Sequence, residues 1–214
     1  MIKSRRLVII GDSLFAQIAY EYFQRDSPFE VCGFAVERAY LKKESLFNLP
    51  VIPFEDLAQR FPPDSYSVFV AITYIERNRV RARLYEEVKK QGYSIATYIS
   101  PHAFVWDNSK IGENCFIFEN NTVQPWVTIE DDVILWSGNH IGHHSVVRRH
   151  VFISSQVVVS GVCDIGEYCF LGVNSTIVDN THIASDVVLG AGTVVIHDIT
   201  QPGTYVGNPA RLLR

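Results

Sequence analysis

A small parallel α/β domain followed by an all-β parallel helix is the fold class that this 214-residue chain predicts. Three observations carry the prediction. An aliphatic residue stands at every sixth position without a miss: Val105, Ile111, Ile117, Val123, Ile129, Leu135, Ile141, Val147, Ile153, Val159, Ile165, Leu171, Ile177, Ile183, Leu189 and Val195. The position two before each is mostly small or β-branched, as at Cys115, Val133, Ser145, Val157, Cys163, Cys169 and Thr193. The first hundred residues instead alternate short apolar runs with segments of helical spacing. A period of six suits neither the helical 3.6 nor a two-residue strand alternation. It suits a chain that turns a corner every six residues and buries one branched side chain per side.

Three hexads close one triangular coil, so residues eighteen apart stack at roughly strand spacing, about 4.8 Å. The segment supplies about five coils whose backbone hydrogen bonds run from coil to coil, as in other solenoids. The residues after each aliphatic make the corners, where Gly112, Gly142, Gly166, Gly172 and Gly190 alternate with Glu, Asp, Asn and Ser. These residue types accept tight backbone turns. Because nothing interrupts the ladder, an active site must lie on the outer faces.

In the N-terminal part, Arg6–Gly11 reads as a buried strand and Leu14–Phe23 as the helix that follows it. Val31–Val36, Tyr66–Ile72 and Ser94–Tyr98 read as further strands, with helices over Phe54–Phe61 and Arg77–Gln91. The alternation predicts a Rossmann-like parallel sheet with helices on both faces, over residues 1–100, ahead of the β-helix at 101–214. Ligands of such sheets sit beyond the carboxyl ends of the strands, which places Gly11, Asp12, Ser13, Glu37, Arg38 and Tyr74 in a candidate nucleotide site. The glycine fingerprint for dinucleotides is absent, since Ser13 and Ala16 stand at its second and third positions, so NAD is not expected. Gly11 reads equally as a tight strand-to-helix turn or as a phosphate contact. Asn78 and Arg81 read as helix-cap and loop-holding residues ahead of ligand contact.

Composition narrows the classes further. A net charge of −4 without a basic run argues against nucleic acid, and no apolar stretch reaches the roughly 20 residues of a membrane helix. The N-terminal apolar run stops at Gly11, short of a signal-peptide core, which predicts a cytoplasmic protein. Cys115, Cys163 and Cys169 fall on inward positions and Cys32 within a strand, so all four read as reduced core residues.

Chemistry concentrates at His140, His143, His144 and His150, four histidines in eleven residues. Ile141 points inward, so His143 and His144 fall on the next corner and face out. Eighteen residues on from His143 stands Gly161, which lacks a side chain and leaves a notch beside the imidazole. A base next to a backbone N–H donor is the minimal equipment for acyl transfer. The plain alternative is a solvated corner histidine beside a turn glycine. Metal binding is the rival chemistry, but His140 and His143 flank the corner and diverge, so no metal site is expected.

The hexads together with Gly207-Asn-Pro-Ala-Arg211 near the C-terminus resemble the left-handed β-helix acyltransferases. The pairing with a small α/β domain resembles, more narrowly, the bacterial sugar acyltransferases that include sialic acid O-acetyltransferases and bacillosamine-type UDP-amino-sugar N-acetyltransferases. That resemblance implies a left-handed helix, a homotrimer with active sites between helices, and acetyl-CoA as co-substrate with no permanently bound cofactor. It implies a nucleotide-linked amino-deoxysugar of surface-polysaccharide (O-antigen) synthesis as acceptor. It further implies His143 as catalytic base, Gly161 N–H as the donor to the thioester carbonyl, and CoA contacts from Phe152, Gly161, Gly207, Asn208, Pro209 and Arg211. Two departures stand out: the residue after the base, usually acidic, is His144, and a second family histidine is matched by Phe152. Outward aromatics at Trp126, Trp136 and Phe152 also predict an oligomer. A sugar O-acetyltransferase and a non-catalytic nucleotide-sugar-binding scaffold remain as alternatives.

Overall fold

The computed structural model describes residues 3–213, and Met1, Ile2 and Arg214 of the expected domain ranges lie outside it. Two compact units emerge: Met1–Ile75 with Val80–Tyr98, and Glu76–Arg79 with Ile99–Arg214. The break at Tyr98/Ile99 falls two residues before the expected one, and the four residues Glu76–Arg79 group with the second unit.

The first unit holds β1 (Arg5–Ile10), α1 (Leu14–Asp26), β2 (Phe29–Val36), β3 (Ser45–Leu46), β4 (Leu49–Pro53), α2 (Leu57–Arg60) and β5 (Ser67–Val70). It ends with α3 (Arg79–Lys90), whose first residue belongs to the second unit, and β6 (Ser94–Ile95). Strand order is β3-β4-β2-β1-β5-β6, parallel except for the β3–β4 hairpin. Both faces are covered, as alternation along β1 requires. Val8 and Ile10 pack with Leu57, Leu84, Tyr85 and Val88, whereas Phe23 of α1 meets Phe69 with ring centroids 5.2 Å apart. Each such fully buried side chain contributes about 1.5–3 kcal/mol. The hairpin escaped sequence analysis because Leu49-Pro-Val-Ile-Pro53 is short and bounded by proline. Its turn residues Phe47 and Asn48 have φ of 51° and 62°, and phenylalanine gives no warning of such a conformation.

The second unit is a left-handed triangular prism of short parallel strands in three sheets. Ile141 pairs with Val159 and Val159 with Ile177, so the eighteen-residue column is real. The aliphatics from Ile117 to Val195 are buried together with Cys115, Val127, Val151, Cys163 and Cys169. Asparagine takes the second inward position at Asn121 and Asn139. The buried amide of Asn121 is satisfied by the Phe118 and Trp136 carbonyls at 2.8 and 2.9 Å. At the end of the prism, Gly203–Val206 runs parallel to Val187–Leu189, and Arg211–Leu212 folds back antiparallel.

The corner glycines do a different job from the one expected. Positive φ falls on the third residue after each aliphatic from Ile111 to Leu189, as at Asn114, Trp126, Asp132, His144, His150, Val162, Tyr168 and Asn180, whereas Gly112, Gly142 and Gly166 have none. Those glycines stand where successive coils approach: a side chain on Gly142 would collide with the Ser160 carbonyl and come within 2.6 Å of the Gly161 nitrogen. Space, rather than backbone freedom, selects glycine there.

Candidate functional site

His143 and His144 lie on the corner that follows the His140–Ile141 strand, and both are exposed. The His143 N–H donates to Gln124 Oε1 at 2.9 Å, which ties the start of the corner to the preceding coil. The imidazole leans over Gly161. A side chain beginning there would lie 2.7 Å from Cε1, 2.8 Å from Nε2 and 3.2 Å from Nδ1 of His143. The notch inferred from spacing therefore exists, and the ring occupies it.

The Gly161 N–H stands at the second position after an inward aliphatic. At that position the N–H of Glu113 donates to Asp131 Oδ1, that of Arg149 to Glu130 Oε2 and that of Glu167 to Ser185 Oγ. Among the described residues nothing accepts from the Gly161 N–H. It is an open donor on the residue beneath an imidazole, a pairing of groups that can serve a developing oxyanion.

His143 Nδ1 lies 3.1 Å from His144 Nδ1. One proton fits between them. When His143 donates it, His143 Nε2 is left with a bare lone pair. His144 is in turn stacked on Trp126, with ring centroids 4.7 Å apart and planes at 25°. Sequence analysis missed this support, although Trp126 precedes His144 by eighteen residues and the column rule would have paired them. His150 is drawn away from the cluster. It is buried, with Nδ1 2.8 Å from Asp132 Oδ2 and its ring on Tyr168 at 4.7 Å.

Phe152, expected beside the acyl group, is 3% exposed and lies parallel to Phe170 at 5.5 Å. Trp136 likewise stacks on Phe118 at 4.6 Å. Of the three aromatics expected on the outer face, Trp126 alone is exposed, at 59%. The other two serve an aromatic layer, Trp136 against Phe118 and Phe152 against Phe170.

In the first unit the carboxyl ends of β1, β2 and β5 bring Gly11, Glu37 and Tyr74 to one end of the sheet. Gly11 has φ 116°, and a side chain there would lie 3.0 Å from the Ala71 carbonyl oxygen, so both turn and close approach demand glycine. Ser13 is the N-cap of α1 yet makes no capping bond. Lys43, which sequence analysis did not single out, contacts Asp12 through Oδ2 and the main-chain oxygen, each at 3.2 Å. Glu37 is paired with Arg83 at 3.0 Å and Arg38 with Asp56 at 2.8 Å. Tyr74 is exposed. Arg81 is buried and holds the loop carbonyl of Thr73 at 3.3 Å, whereas Asn78 donates to the Cys169 carbonyl at 3.3 Å. Gly207, Asn208 and Pro209 form the turn before Arg211–Leu212, with Gly207, Asn208 and Arg211 exposed. No group of three or more potential metal ligands occurs among the described residues, nor any helix long and apolar enough to cross a membrane.

Comparison with known proteins bears on this geometry. The model of the GMPPB C-terminal domain family matches residues 94–204, over half of the chain, and that of the PglD N-terminal domain matches residues 6–88. The structure of the acetyltransferase domain of PglB from Neisseria gonorrhoeae FA1090 is 26% identical, with TM-score 0.89, covering 98% of this chain and 100% of that one. That domain has also been solved in complex with acetyl coenzyme A. PerB from Caulobacter crescentus, in complex with CoA and GDP-perosamine, shares the fold at 24% identity and TM-score 0.87, over 97% of both chains. The UDP-3-O-acylglucosamine N-acyltransferase of Delftia acidovorans is 33% identical over 103 residues, 48% of this chain and 30% of that protein. The match thus spans about a third of such relatives.

Proposed function

We propose, given that this chain belongs to the left-handed β-helix sugar acyltransferase family, that it transfers an acetyl group from acetyl-CoA to the amino group of a nucleotide-linked amino-deoxysugar. One observation carries the reading: the His143 imidazole lies over an unengaged Gly161 N–H. A scaffold that merely bound the sugar has no need of an open base and donor side by side.

In the proposed reaction the neutral amine attacks the thioester carbonyl with its lone pair while His143 Nε2 takes a proton from that nitrogen as the C–N bond forms. The carbonyl oxygen becomes an oxyanion facing the Gly161 N–H. Collapse of the tetrahedral species breaks the C–S bond, and the imidazolium returns its proton to the departing thiolate. No covalent enzyme intermediate is required: the buried thiols of Cys163 and Cys169 are pushed up by burial, and Cys169 reaches about 12. His144 accepts from His143 Nδ1 and supports the cation formed at each turnover. A neutral imidazole does so less strongly than a carboxylate.

The nucleotide would be held in the first unit by the Gly11–Ser13 turn, with Glu37, Arg38 and Tyr74 around it and Lys43 as a further cation for phosphate. Arginine and glutamate must exchange their present partners to contribute. CoA would run along the prism towards Gly207, Asn208, Pro209 and Arg211. A homotrimer in the cytoplasm completes the reading, supported by the exposure of Phe104, Trp106 and Trp126 at 56, 47 and 59%. Light scattering gives about three times the 24.2 kDa chain mass if it holds.

The acceptor chemistry has a second candidate, because the UDP-N-acetylglucosamine O-acyltransferase of Agrobacterium fabrum is 26% identical over 124 residues. The test is mass spectrometry of products from acetyl-CoA and a panel of UDP-, dTDP- and GDP-linked amino sugars. N-acetylation of one member supports the proposal. Acetylation confined to hydroxyl groups replaces it with the O-transfer reading.

A further inference from the structure

The notch has a far wall. Asp179 is the second residue after inward Ile177, as Gly161 is after Val159 and His143 after Ile141. The corner bonds keep step: His144 N–H donates to the Pro125 carbonyl at 3.2 Å, Val162 N–H to His143 at 2.8 Å and Asn180 N–H to Gly161 at 3.0 Å. Pro125, His143, Gly161 and Asp179 therefore form one column with coil spacing of about 4.8 Å. His143 already leans across one step, since its ring reaches 2.7–2.8 Å from the start of any side chain at Gly161. Roughly one further step, about 5 Å, separates the imidazole from the Asp179 corner.

Asp179 does not make a contact that two other corners make. One coil above Glu113, Asp131 Oδ1 accepts the Glu113 N–H at 3.0 Å, and Ser185 Oγ accepts that of Glu167 at 3.1 Å from the equivalent place. Asp179 stands in the same relation to Gly161 yet leaves its N–H open. Its exposed carboxylate instead accepts from Asn180 Nδ2 at 2.8 Å and forms no ion pair among the described residues.

We propose that Asp179 selects an amine acceptor, its carboxylate holding one N–H of the sugar amino group while His143 Nε2 takes another above Gly161. This rests on the reading of His143 as base. Two acceptors a little over 5 Å apart accommodate one nitrogen at about 2.8 Å from each. The sugar binds as an ammonium whose charge matches the carboxylate, and once it has shed one proton to solvent the neutral amine still offers one N–H to Asp179 and one to His143, whereas a hydroxyl has one donor and no charge. Asp179 is thus a specificity-determining residue, distinct from the group that moves the proton.

The experiment compares wild type, Asp179→Asn, Asp179→Glu and His143→Ala with acetyl-CoA and the nucleotide amino sugar turned over fastest in the panel. The hydroxyl analogue of that sugar is run in parallel. Asp179→Asn is expected to raise KM for the amino sugar about 10-fold or more, with a smaller change in kcat. Its preference for amine over hydroxyl should fall by a similar factor, and rising salt should weaken sugar binding in wild type more than in the variant. Asp179→Glu, which keeps the charge, should recover part of the loss. An unchanged sugar KM and an unchanged amine preference in Asp179→Asn overturn the proposal, and loss of kcat in His143→Ala then shows that the base reading stands. If wild type acetylates no amino sugar in the panel, the base reading falls and this proposal with it.

Discussion

Gly161→Ala isolates the catalytic geometry from the fold. An alanine Cβ would sit 2.7 Å from Cε1 and 2.8 Å from Nε2 of His143, against a comfortable contact near 3.5–4.0 Å. The imidazole must retreat by about 1 Å. It can do so, because the obstacle is an exposed side chain and the φ of Gly161 is not in the left-handed region. The fold therefore tolerates the change, with a loss or gain of no more than about 1 kcal/mol and a Tm within a few degrees of wild type. A displacement of 1 Å at a reacting pair costs about 10² in rate, so kcat should fall about 100-fold while the backbone N–H of residue 161 remains. CoA release under saturating substrates measures kcat, and a thermal melt measures stability. Gly142→Ala serves as the contrast, since its clash is with the Ser160 backbone: it should damage folding as well as turnover. A Gly161→Ala enzyme with kcat within about twofold of wild type would refute the placement of His143 over a functional notch.

Other outcomes follow from the same structure. His143→Ala should lower kcat by about 10² to 10⁴ with little change in either KM, as expected on loss of a general base. His144→Phe keeps a ring to stack on Trp126 but removes the nitrogen 3.1 Å from His143; kcat, read from CoA release, should fall about tenfold with little change in either KM. A thiol reagent at pH 8 should label Cys32 alone in the folded protein, since the other three cysteines are buried. Cys169 is pushed from 9.0 up to about 12 by burial, so between those values the unfolded chain has lost a proton that the native state keeps. Stability is fully present below pH 9 and declines as pH rises towards 12, and in Cys169→Ala melts recorded over that range the decline should be shallower.

The prism was legible because its cause is local and repeated. Each hexad carries its own inward aliphatic, and a register error of one residue would turn every such side chain outward, so Ile141, Val159 and Ile177 had one arrangement open to them. Eighteen-residue arithmetic also located the His143–Gly161 notch. Applied once more in each direction it leads to Trp126 beneath His144 and to Asp179 beyond Gly161. The β3–β4 hairpin was not legible because its turn has φ values the sequence does not announce, and the Lys43–Asp12 contact was not because it joins residues 31 apart with no periodic spacing between them. What the chain alone determined is the column in which each residue stands. Only the tertiary structure decided which way side chains lean within it. The His143 ring crosses one coil step because Gly161 leaves the space, Phe152 is buried in an aromatic layer, His150 is captured by Asp132, and Asp179 bonds to Asn180 rather than to the Gly161 N–H. Those outcomes depend on competition among neighbours from different coils, which no spacing in the sequence records.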